Sequence, residues 1–241
     1  MFTEEAMLDF IKKEPLSEPY FKKWIGADEF LYNYYRYVLL VKDIPLNLIR
    51  KMPLVLERIE SVREYRKASK SAPTRKLAET PTRFHVENFP TDNYIVIPEV
   101  TGGNRKYIPM GFLEPEIIPS NLVKVMPNAN LFHFGILMSS VHMAWVKAVG
   151  SFMSTSYRYS VGVIYNNFPW PSPTREQIES IEKTSQMILD ARKKYSKYSL
   201  ADIYDPRVMP DELIKAHNAN DKAVMEAYGL NVKTRFDRFK R

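Results

Sequence analysis

Few side chains in this sequence have the types and spacing that chemistry requires. His133 and His142 lie nine positions apart with no carboxylate between them, which does not match the closely spaced ligand pairs of a zinc site. Asp211, Glu212 and Lys215 are residue types of nuclease metal sites, but all three fall in about one turn of a predicted helix. Acidic residues are favoured there by the helix dipole. We therefore expect no metal site and no catalytic residue.

Motifs for cofactor binding and nucleophilic catalysis are also missing. The sequence has no Gly-x-Ser-x-Gly, no phosphate-binding loop, no Gly-x-Gly-x-x-Gly and no cysteine, which excludes thiolate chemistry and disulfides. The segment 166–170, Asn-Asn-Phe-Pro-Trp, partly matches the Asn-Pro-Pro-aromatic loop of amino-methyltransferases. Its prolines are misplaced, however, and no glycine-rich cofactor loop precedes it. We expect Phe168 and Trp170 to pack at a domain junction instead.

One arginine has a sequence context that suits binding. Arg158 lies between two rings in the segment Tyr-Arg-Tyr-Ser, 157–160, where a loop is expected to enter a strand. An arginine can donate to both major-groove acceptors of guanine, which is worth roughly 1–3 kcal/mol of discrimination. A structural ion pair is the alternative, and the pattern alone leaves both open.

Positive charge is concentrated in one segment of the chain. The formal net charge is +7, and residues 58–83 contain eight Lys or Arg against three Glu, a local excess of +5. Because Lys and Arg that neutralise phosphates release counterions, this segment indicates a polyanion partner. A solvated helix face would give the same pattern, and charge alone leaves the two readings open.

The composition is typical of soluble globular chains, with 45% hydrophobic and 26% charged residues. No run of 18 apolar residues occurs, and residues 1–5 lack the basic-then-apolar order of a signal peptide. We therefore expect a cytoplasmic protein with no membrane partner.

The chain divides at a proline-rich segment, 168–173, Phe-Pro-Trp-Pro-Ser-Pro, which can continue neither a helix nor a strand. We predict a first domain over 1–171 and a second over 172–241. The first mixes helical patterns over 45–71 and 137–149 with strand patterns over 94–97, 106–112, 122–126 and 160–165. The second is helical, with capping boxes at Thr174 and Ser199, a helix over 211–228 and a basic tail. The predicted fold class is α+β, a mixed helix and strand domain followed by a small all-helical domain.

Several segments together carry a family resemblance. They are Ser-Lys-Ser-Ala-Pro-Thr-Arg-Lys-Leu-Ala (69–78), Tyr-Ile-Pro-Met-Gly-Phe-Leu (107–113), Phe-Gly-Ile-Leu (134–137), His-Met-Ala-Trp (142–145), Tyr-Arg-Tyr-Ser (157–160), Tyr-Asn-Asn-Phe-Pro-Trp-Pro (165–171), Ser-Leu-Ala-Asp-Ile-Tyr-Asp-Pro (199–206), Met-Pro (209–210) and Lys-Ala-His (215–217). In this order they resemble the C-terminal part of MmeI-type DNA methyltransferases, which are restriction–modification enzymes and their methylase relatives. The resemblance covers most of the chain from about Trp24 onward.

The resemblance implies a target-recognition domain and a helical C-terminal domain that recognise a sequence in double-stranded DNA. By this resemblance the chain alone is not an enzyme. It is a fragment or subunit of an S-adenosylmethionine-dependent DNA (adenine-N6) methyltransferase. The catalytic domain, in the same full-length chain or a separate subunit, is the expected partner and binds S-adenosylmethionine, while this chain binds no cofactor.

The resemblance also implies which residues contact DNA. The stretch 151–158 and the turn 101–106 are the DNA-facing loops, and serines stand where relatives often have a charged pair, so readout through water is an option. The residues expected to contact base edges are Ser154, Ser156, Arg158, Asn104 and Arg105. Those expected to contact phosphates, which set register without reading sequence, are Arg66, Lys70, Arg75, Lys76, Arg83 and Lys106.

Two other functions stay open on the sequence. One is a structural or protein-interaction module whose basic face contacts an acidic protein. The other is a small active methyltransferase or nuclease. Preference for one duplex sequence distinguishes DNA recognition from protein docking, and binding of S-adenosylmethionine would indicate a catalyst.

Overall fold

The computed structural model describes residues 1–87 and 89–230, apart from the side chain of Met153. The chain forms two compact units. The first contains Met1–Trp24, Tyr35–Phe89 and Glu116–Ile118, and the second contains the other described residues. The helices that follow the proline-rich segment belong to the second unit, together with strands from before it. The domain boundary at 171/172 stays a prediction.

Ten α-helices and nine strands are found in the described residues. The helices are α1 (Glu4–Lys13), α2 (Ala27–Tyr32), α3 (Leu46–Ile49), α4 (Pro53–Lys67), α5 (Ala72–Lys76), α6 (Leu131–Leu137), α7 (Ser140–Val149), α8 (Arg175–Lys194), α9 (Leu200–Ile203) and α10 (Asp211–Ala227). The strands are β1 (Phe21–Ile25), β2 (Arg36–Leu39), β3 (Tyr94–Pro98), β4 (Val100–Gly102), β5 (Gly111–Leu113), β6 (Ile118–Pro119), β7 (Val123–Pro127), β8 (Ser151–Met153) and β9 (Ser156–Arg158). None of the described helices is long and apolar enough to cross a membrane.

The first unit has a small apolar core beneath α4. A buried carboxylate fixes the start of this helix: Leu54 N donates to Glu14 Oε1 at 3.0 Å, and Val55 N donates to Glu14 Oε2 at 2.9 Å. Pro53 occupies the first helical position, where its missing N–H costs nothing. The helical pattern predicted over 45–71 thus contains two successive helices, α3 and α4. The buried core residues are Phe2, Phe10, Val41, Ile44, Ile49, Met52, Val55 and Ile59.

The second unit is organised around a fully buried strand. β3 pairs antiparallel with β5 on one side and β7 on the other, and all five of its residues are buried. The strands predicted over 94–97 and 122–126 are confirmed. α8 packs on α6 and α10, and Gly135 of α6 lies close to side chains of both. A Cβ there would lie 2.6 Å from Ile181 Cγ2 and 2.9 Å from Asn220 Oδ1.

Of the secondary-structure predictions in this unit, one is wrong and two are wrong in part. The helix predicted over 137–149 is the end of α6 followed by α7, because Ser139 caps α7 by accepting from His142 N at 3.2 Å. Residues 160–165, predicted as a strand, form a π-helical turn at 161–165. Trp145 Nε1 donates to the Ile164 carbonyl at 3.0 Å and fixes this turn against α7.

The strand predicted over 106–112 is limited to its end, since β5 begins at Gly111. The preceding segment is buried, but side chains of α8 and α10 supply its partners. Tyr107 Oη donates to Asp221 Oδ2 at 2.7 Å, and Arg192 Nη1 donates to the Met110 carbonyl at 2.6 Å. Tyr107 also stacks on His217, with ring centroids 4.0 Å apart. An apolar segment whose partners come from distant helices gives the same local pattern as a strand.

Candidate nucleic-acid interface

The two segments predicted to read bases are brought together by one small sheet of the second unit. β9 is its central strand, with β4 on one side and β8 on the other. Val100 is opposite Arg158, and Gly102 is opposite Ser156. Gly103 N then donates to the Thr155 carbonyl at 2.9 Å. The turn after β4 therefore lies beside the tip of the β8–β9 hairpin.

The hairpin alternates between a buried and an outer face. Tyr157 is 5% exposed, and its ring centroid lies 5.0 Å from that of Phe152. Ser156 and Arg158 lie on the opposite face, as the two-residue period of a strand requires. Ser154 occupies the turn with φ 58°, a conformation unusual for a non-glycine residue. Ser154 and Arg158 are exposed, and Ser156 is half-buried.

Gly103 is required for this arrangement. A Cβ at this position would clash with the Thr155 carbonyl oxygen, and the carbonyl carbon would be only 3.2 Å away. The contact that joins the two predicted reading loops therefore depends on a residue without a side chain.

Arg158 is held by an acidic residue that the sequence analysis did not single out. Its Nε donates to Glu99 Oε1 at 3.1 Å, and Lys124 Nζ donates to Glu99 Oε2 at 2.7 Å. The Glu99 side chain is 16% exposed, whereas that of Arg158 is 56% exposed. The hydrogen bond from Lys124 is the main cause that lowers the pKa of Glu99; partial burial opposes this shift, and the bond from Arg158 adds to it. Glu99 is therefore ionised at neutral pH.

The remaining predicted residues of the turn differ in exposure. Asn104 is exposed. Arg105 is half-buried, and its guanidinium donates to Thr101 Oγ1 at 2.8 Å and to the Ala201 carbonyl at 3.4 Å. Lys106 is exposed, with Nζ 3.4 Å from Asn218 Oδ1. Arg105 thus braces the turn, while Asn104 and Lys106 extend from it.

The predicted phosphate contacts on the basic segment belong to the first unit and fall into two groups. Arg66 donates to the carbonyls of Leu77, Thr80 and Arg83 at 2.7–2.9 Å. Arg66 lies on α4 and holds the segment that follows α5 against this helix. The sequence spacing did not indicate this role. Only part of its donor set stays available for a phosphate.

The other four basic residues are exposed. Arg75 Nη1 donates to the carbonyls of Ser69 and Lys70 at 2.9 Å, and Arg83 pairs with Glu87 at 2.8 Å. Within the described part of the chain, the ammonium groups of Lys70 and Lys76 make no hydrogen bond or ion pair. These two lysines are the residues of the segment most available to an anion.

His142 and the aromatic motif have structural roles. His142 is fully buried, its Nε2 lies 3.1 Å from Tyr159 Oη, and burial lowers its pKa to about 3. Phe168 is 5% exposed and packs with the partly buried Trp170 in an apolar core. The packing role predicted for both residues is confirmed, and their place at a domain junction stays a prediction. No group of three or more His, Asp or Glu side chains suited to a metal ion is found in residues 1–87 and 89–230.

Glu99 and Lys124 are the residues of this site that sequence reasoning missed. Neither is adjacent in sequence to Arg158. Strand pairing alone brings them together, because Glu99 directly precedes β4 and Lys124 lies on β7. The strand pattern over 122–126 was the only available signal, and it did not indicate that this strand would pair with β3, which ends next to Glu99.

Comparison with known proteins identifies the family. The family model described as "MmeI, target recognition domain" matches residues 1–172, and "MmeI, C-terminal domain" matches residues 173–240. The chain belongs to the MmeI family. The fold class predicted from the sequence is confirmed by a solved MmeI-family structure, that of the Type IIL restriction–modification enzyme MmeI in complex with DNA. It shares 43% identity with a TM-score of 0.93, and the match covers 95% of this chain and 31% of that one.

A curated relative is also similar along most of this chain. It is DNA methyltransferase A of Bacillus subtilis (strain 168), 41% identical over 228 residues. The match covers 95% of this chain but only 26% of the relative. The chain therefore spans between a quarter and a third of the length of these two proteins.

Proposed function

We propose that this chain recognises a short sequence in double-stranded DNA, as the specificity portion of an adenine-N6 DNA methyltransferase of a restriction–modification system. The observation that carries this proposal is the β4–β9–β8 sheet, in which both predicted reading loops lie side by side and the central strand, β9, carries the exposed Arg158. The similar MmeI structure is a complex with DNA, and the similar Bacillus subtilis protein is a DNA methyltransferase. Both support the proposal.

The residues of the sheet would read base edges. The guanidinium of Arg158 can donate to the two acceptors of guanine, and the hydroxyls of Ser154 and Ser156 and the amide of Asn104 can bond to either base type directly or through water. The guanidinium of Arg105 is hydrogen-bonded to Thr101 and Ala201. It would contact only a base that lies close to the turn. The short side chains of the serines make water-mediated contacts the expected mode at those positions.

The basic segment would hold the backbone of the duplex. A methyltransferase must extrude its target base, which costs a few kcal/mol, and the duplex has to be held meanwhile. Lys70 and Lys76, with their free ammonium groups, would make the strongest phosphate contacts, and Arg75, Arg83 and Lys106 would add to them. Arg66 would contribute least, because its donors already bond to backbone carbonyls.

The methyl transfer itself is assigned to a partner. A methyltransferase catalytic domain, in the same full-length protein or in a separate subunit, would bind S-adenosylmethionine and act on adenine. The residues of this chain would position the DNA for it. The cytoplasmic location expected from the sequence stays a prediction.

Substitutions at the two kinds of residue test the proposal. Arg158→Ala should relax the preference at one base position, while Lys70→Ala should weaken binding to all duplexes similarly and reduce the slope of log K against log salt by about 1. Binding is measured by fluorescence anisotropy at several salt concentrations. Two controls remove the same charge elsewhere: Arg175→Ala, whose Nε also pairs with a glutamate, at 3.0 Å, and Lys12→Ala on α1.

The outcomes separate DNA recognition from protein docking. If the wild-type chain shows no preference among duplexes, the proposal is wrong, and a protein-interaction module becomes the better account. If Arg158→Ala leaves an existing preference intact, the assignment of this residue is wrong. Loss of preference with Arg175→Ala as well would indicate a nonspecific charge effect.

A further inference from the structure

An apolar cavity opens on the surface of the first unit, beside one face of α4. Its volume is about 220 Å³, which is smaller than the roughly 300–1,000 Å³ of pockets for drug-sized ligands. The cavity, called the α4 cavity below, is therefore sized for one side chain or one ring. Its apolar walls are formed by Phe2, Val38, Val41, Ile59, Val62 and Phe84.

The walls of the α4 cavity are fixed by contacts within the first unit. Phe2 and Tyr37 exchange two backbone hydrogen bonds, at 2.8 and 2.9 Å. The wall that follows α5 is held by Arg66, which donates to the carbonyls of Thr80 and Arg83 at 2.9 and 2.7 Å. Because these walls do not have to be ordered by a ligand, binding carries a smaller entropic cost.

The charged groups at the α4 cavity are all cations. Three arginines line it, and no carboxylate does among the described residues. Arg66 already donates to backbone carbonyls, and Arg83 pairs with Glu87 at 2.8 Å. Arg58 is exposed, and its guanidinium lies over the Phe2 ring, 4.9 Å from the centroid. Within the described part of the chain this guanidinium makes no hydrogen bond or ion pair. Stacking occupies only its face, so its N–H groups stay available to an anion.

A second cavity of the first unit offers the opposite environment. It is also lined by Phe2 and Arg58, but Asp9 and Glu57 line it as well. Asp9 pairs with Lys13 at 2.6 Å, whereas the Glu57 carboxylate would repel a second carboxylate. An anion that binds Arg58 is therefore favoured on the side of the α4 cavity.

The lining of the α4 cavity favours an apolar side chain over a nucleobase. A base presents hydrogen-bond donors as well as acceptors along its edge, and a donor is costly to bury without an acceptor. Among the described residues that line the cavity, the Thr82 hydroxyl is the one side-chain acceptor. The side chain of a leucine or phenylalanine has no such groups, and its burial is favourable.

We propose that the α4 cavity is a docking site for a segment of a protein partner, which inserts one large apolar side chain and places an adjacent Asp or Glu carboxylate on Arg58. This goes beyond the proposed function, because it adds a protein contact that does not depend on DNA recognition. Full burial of a leucine or phenylalanine side chain contributes roughly 10- to 150-fold in affinity. The planar guanidinium of Arg58 can bind both oxygens of the carboxylate.

The experiment starts with random linear peptides displayed on phage and selected against the complete 241-residue chain. Physiological salt screens general attraction to the net positive charge. The best-enriched peptide is synthesised with a fluorophore, and anisotropy measures its dissociation constant. Two altered peptides accompany it, one with the apolar residue replaced by alanine and one with the carboxylate replaced by its amide.

Two variants of the chain address the two parts of the site, and each has a matched control. Val62→Gln makes the apolar wall polar without changing charge, and Arg58→Gln removes the cation. Leu56→Gln on the same helix and Arg50→Gln are the controls, since both residues are exposed and neither lines the cavity. All four positions are exposed, so folding should be retained, and circular dichroism checks this.

The enriched peptides should share a large apolar residue next to Asp or Glu. Replacing that apolar residue by alanine should weaken binding at least about tenfold, and Val62→Gln should weaken it about fivefold or more. Arg58→Gln should weaken the acidic peptide about fivefold or more but change the amide peptide by less than about twofold, because the carboxylate acts through Arg58. Both controls should stay within about twofold of the wild type.

Several results would overturn the inference. They are the absence of enriched peptides, a selected peptide whose affinity stays within about twofold in either cavity variant, and an equal loss in a control. Adenosine and thymidine monophosphate are the nucleotide probes. If either binds to the wild-type chain and not to Val62→Gln, the cavity accepts a nucleotide and the inference is wrong. The assay contains no DNA, so each of these failures is distinct from a failure of the proposed function.

Discussion

The cap of α4 by Glu14 gives a prediction about how the basic segment is held in place. The Glu14 side chain accepts from the N–H groups of Leu54 and Val55, the second and third residues of the helix. Glu14 is 5% exposed and Val55 is 0% exposed. Water therefore does not reach the Val55 donor if the carboxylate is removed, whereas the half-buried Leu54 is less affected.

The magnitude follows from those two bonds. Glu14→Ala leaves the Val55 donor buried without an acceptor, which costs about 1–3 kcal/mol, and it removes the interaction of the carboxylate with the helix dipole, which adds about 0.3–1 kcal/mol. We expect a loss of about 3 kcal/mol in the free energy of unfolding. Glu14→Gln retains one accepting oxygen but places an NH₂ group against the other donor, so we expect a loss of about 2 kcal/mol.

Urea unfolding followed by circular dichroism measures the free energies, and hydrogen–deuterium exchange of residues 53–58 shows whether the loss is local to the start of α4. Glu18→Gln is the control, because Glu18 is exposed on the same segment, and it should stay within about 0.5 kcal/mol of the wild type. If both Glu14 variants also stayed within that limit, the reasoning about this cap would be refuted.

Two further predictions concern the second unit. Gly135→Ala should lower the free energy of unfolding by about 2 kcal/mol or more in urea titrations, because its Cβ would lie 2.6 Å from Ile181 Cγ2; an unchanged midpoint would contradict the close approach. Burial lowers the pKa of His142 from 6.5 to about 3, so the unfolded chain binds a proton that the folded chain excludes. Urea midpoints at pH 7, 6 and 5 should show stability falling by about 2 kcal/mol from this residue, and His142→Gln should reduce the slope.

Features set by neighbouring residues were predicted well from the sequence. The capping boxes at Thr174 and Ser199 form as predicted, with Thr174 Oγ1 accepting from Gln177 N at 3.4 Å and Ser199 Oγ accepting from Asp202 N at 3.1 Å. The helix predicted over 211–228 is α10, which Pro210 directly precedes and Gly229, at φ 67°, follows. Each of these helix ends depends on residues within about four positions of one another. The sequence alone is therefore enough to predict them.

Features set by distant residues were not predicted. The turn at 161–165 has the apolar residues of a strand, but the bond from Trp145 to the Ile164 carbonyl decides its conformation. The cap on α4 comes from Glu14, 40 positions before Leu54. Arg158 was singled out from the sequence, but the partner of its Nε, Glu99, is 59 positions away and is brought to it by strand pairing. The family resemblance indicated the loops 101–106 and 151–158. The contact between Arg158 and the Glu99 carboxylate was found only in the structure.

The most direct test of the account is a selection experiment with the unmodified chain and randomised duplexes, without any methyltransferase partner. The account predicts that one short motif is enriched, and that its duplex binds more tightly than a scrambled duplex by a factor on the order of 10³ at the same salt concentration. Binding of all duplexes with equal affinity, with no motif enriched, would contradict it.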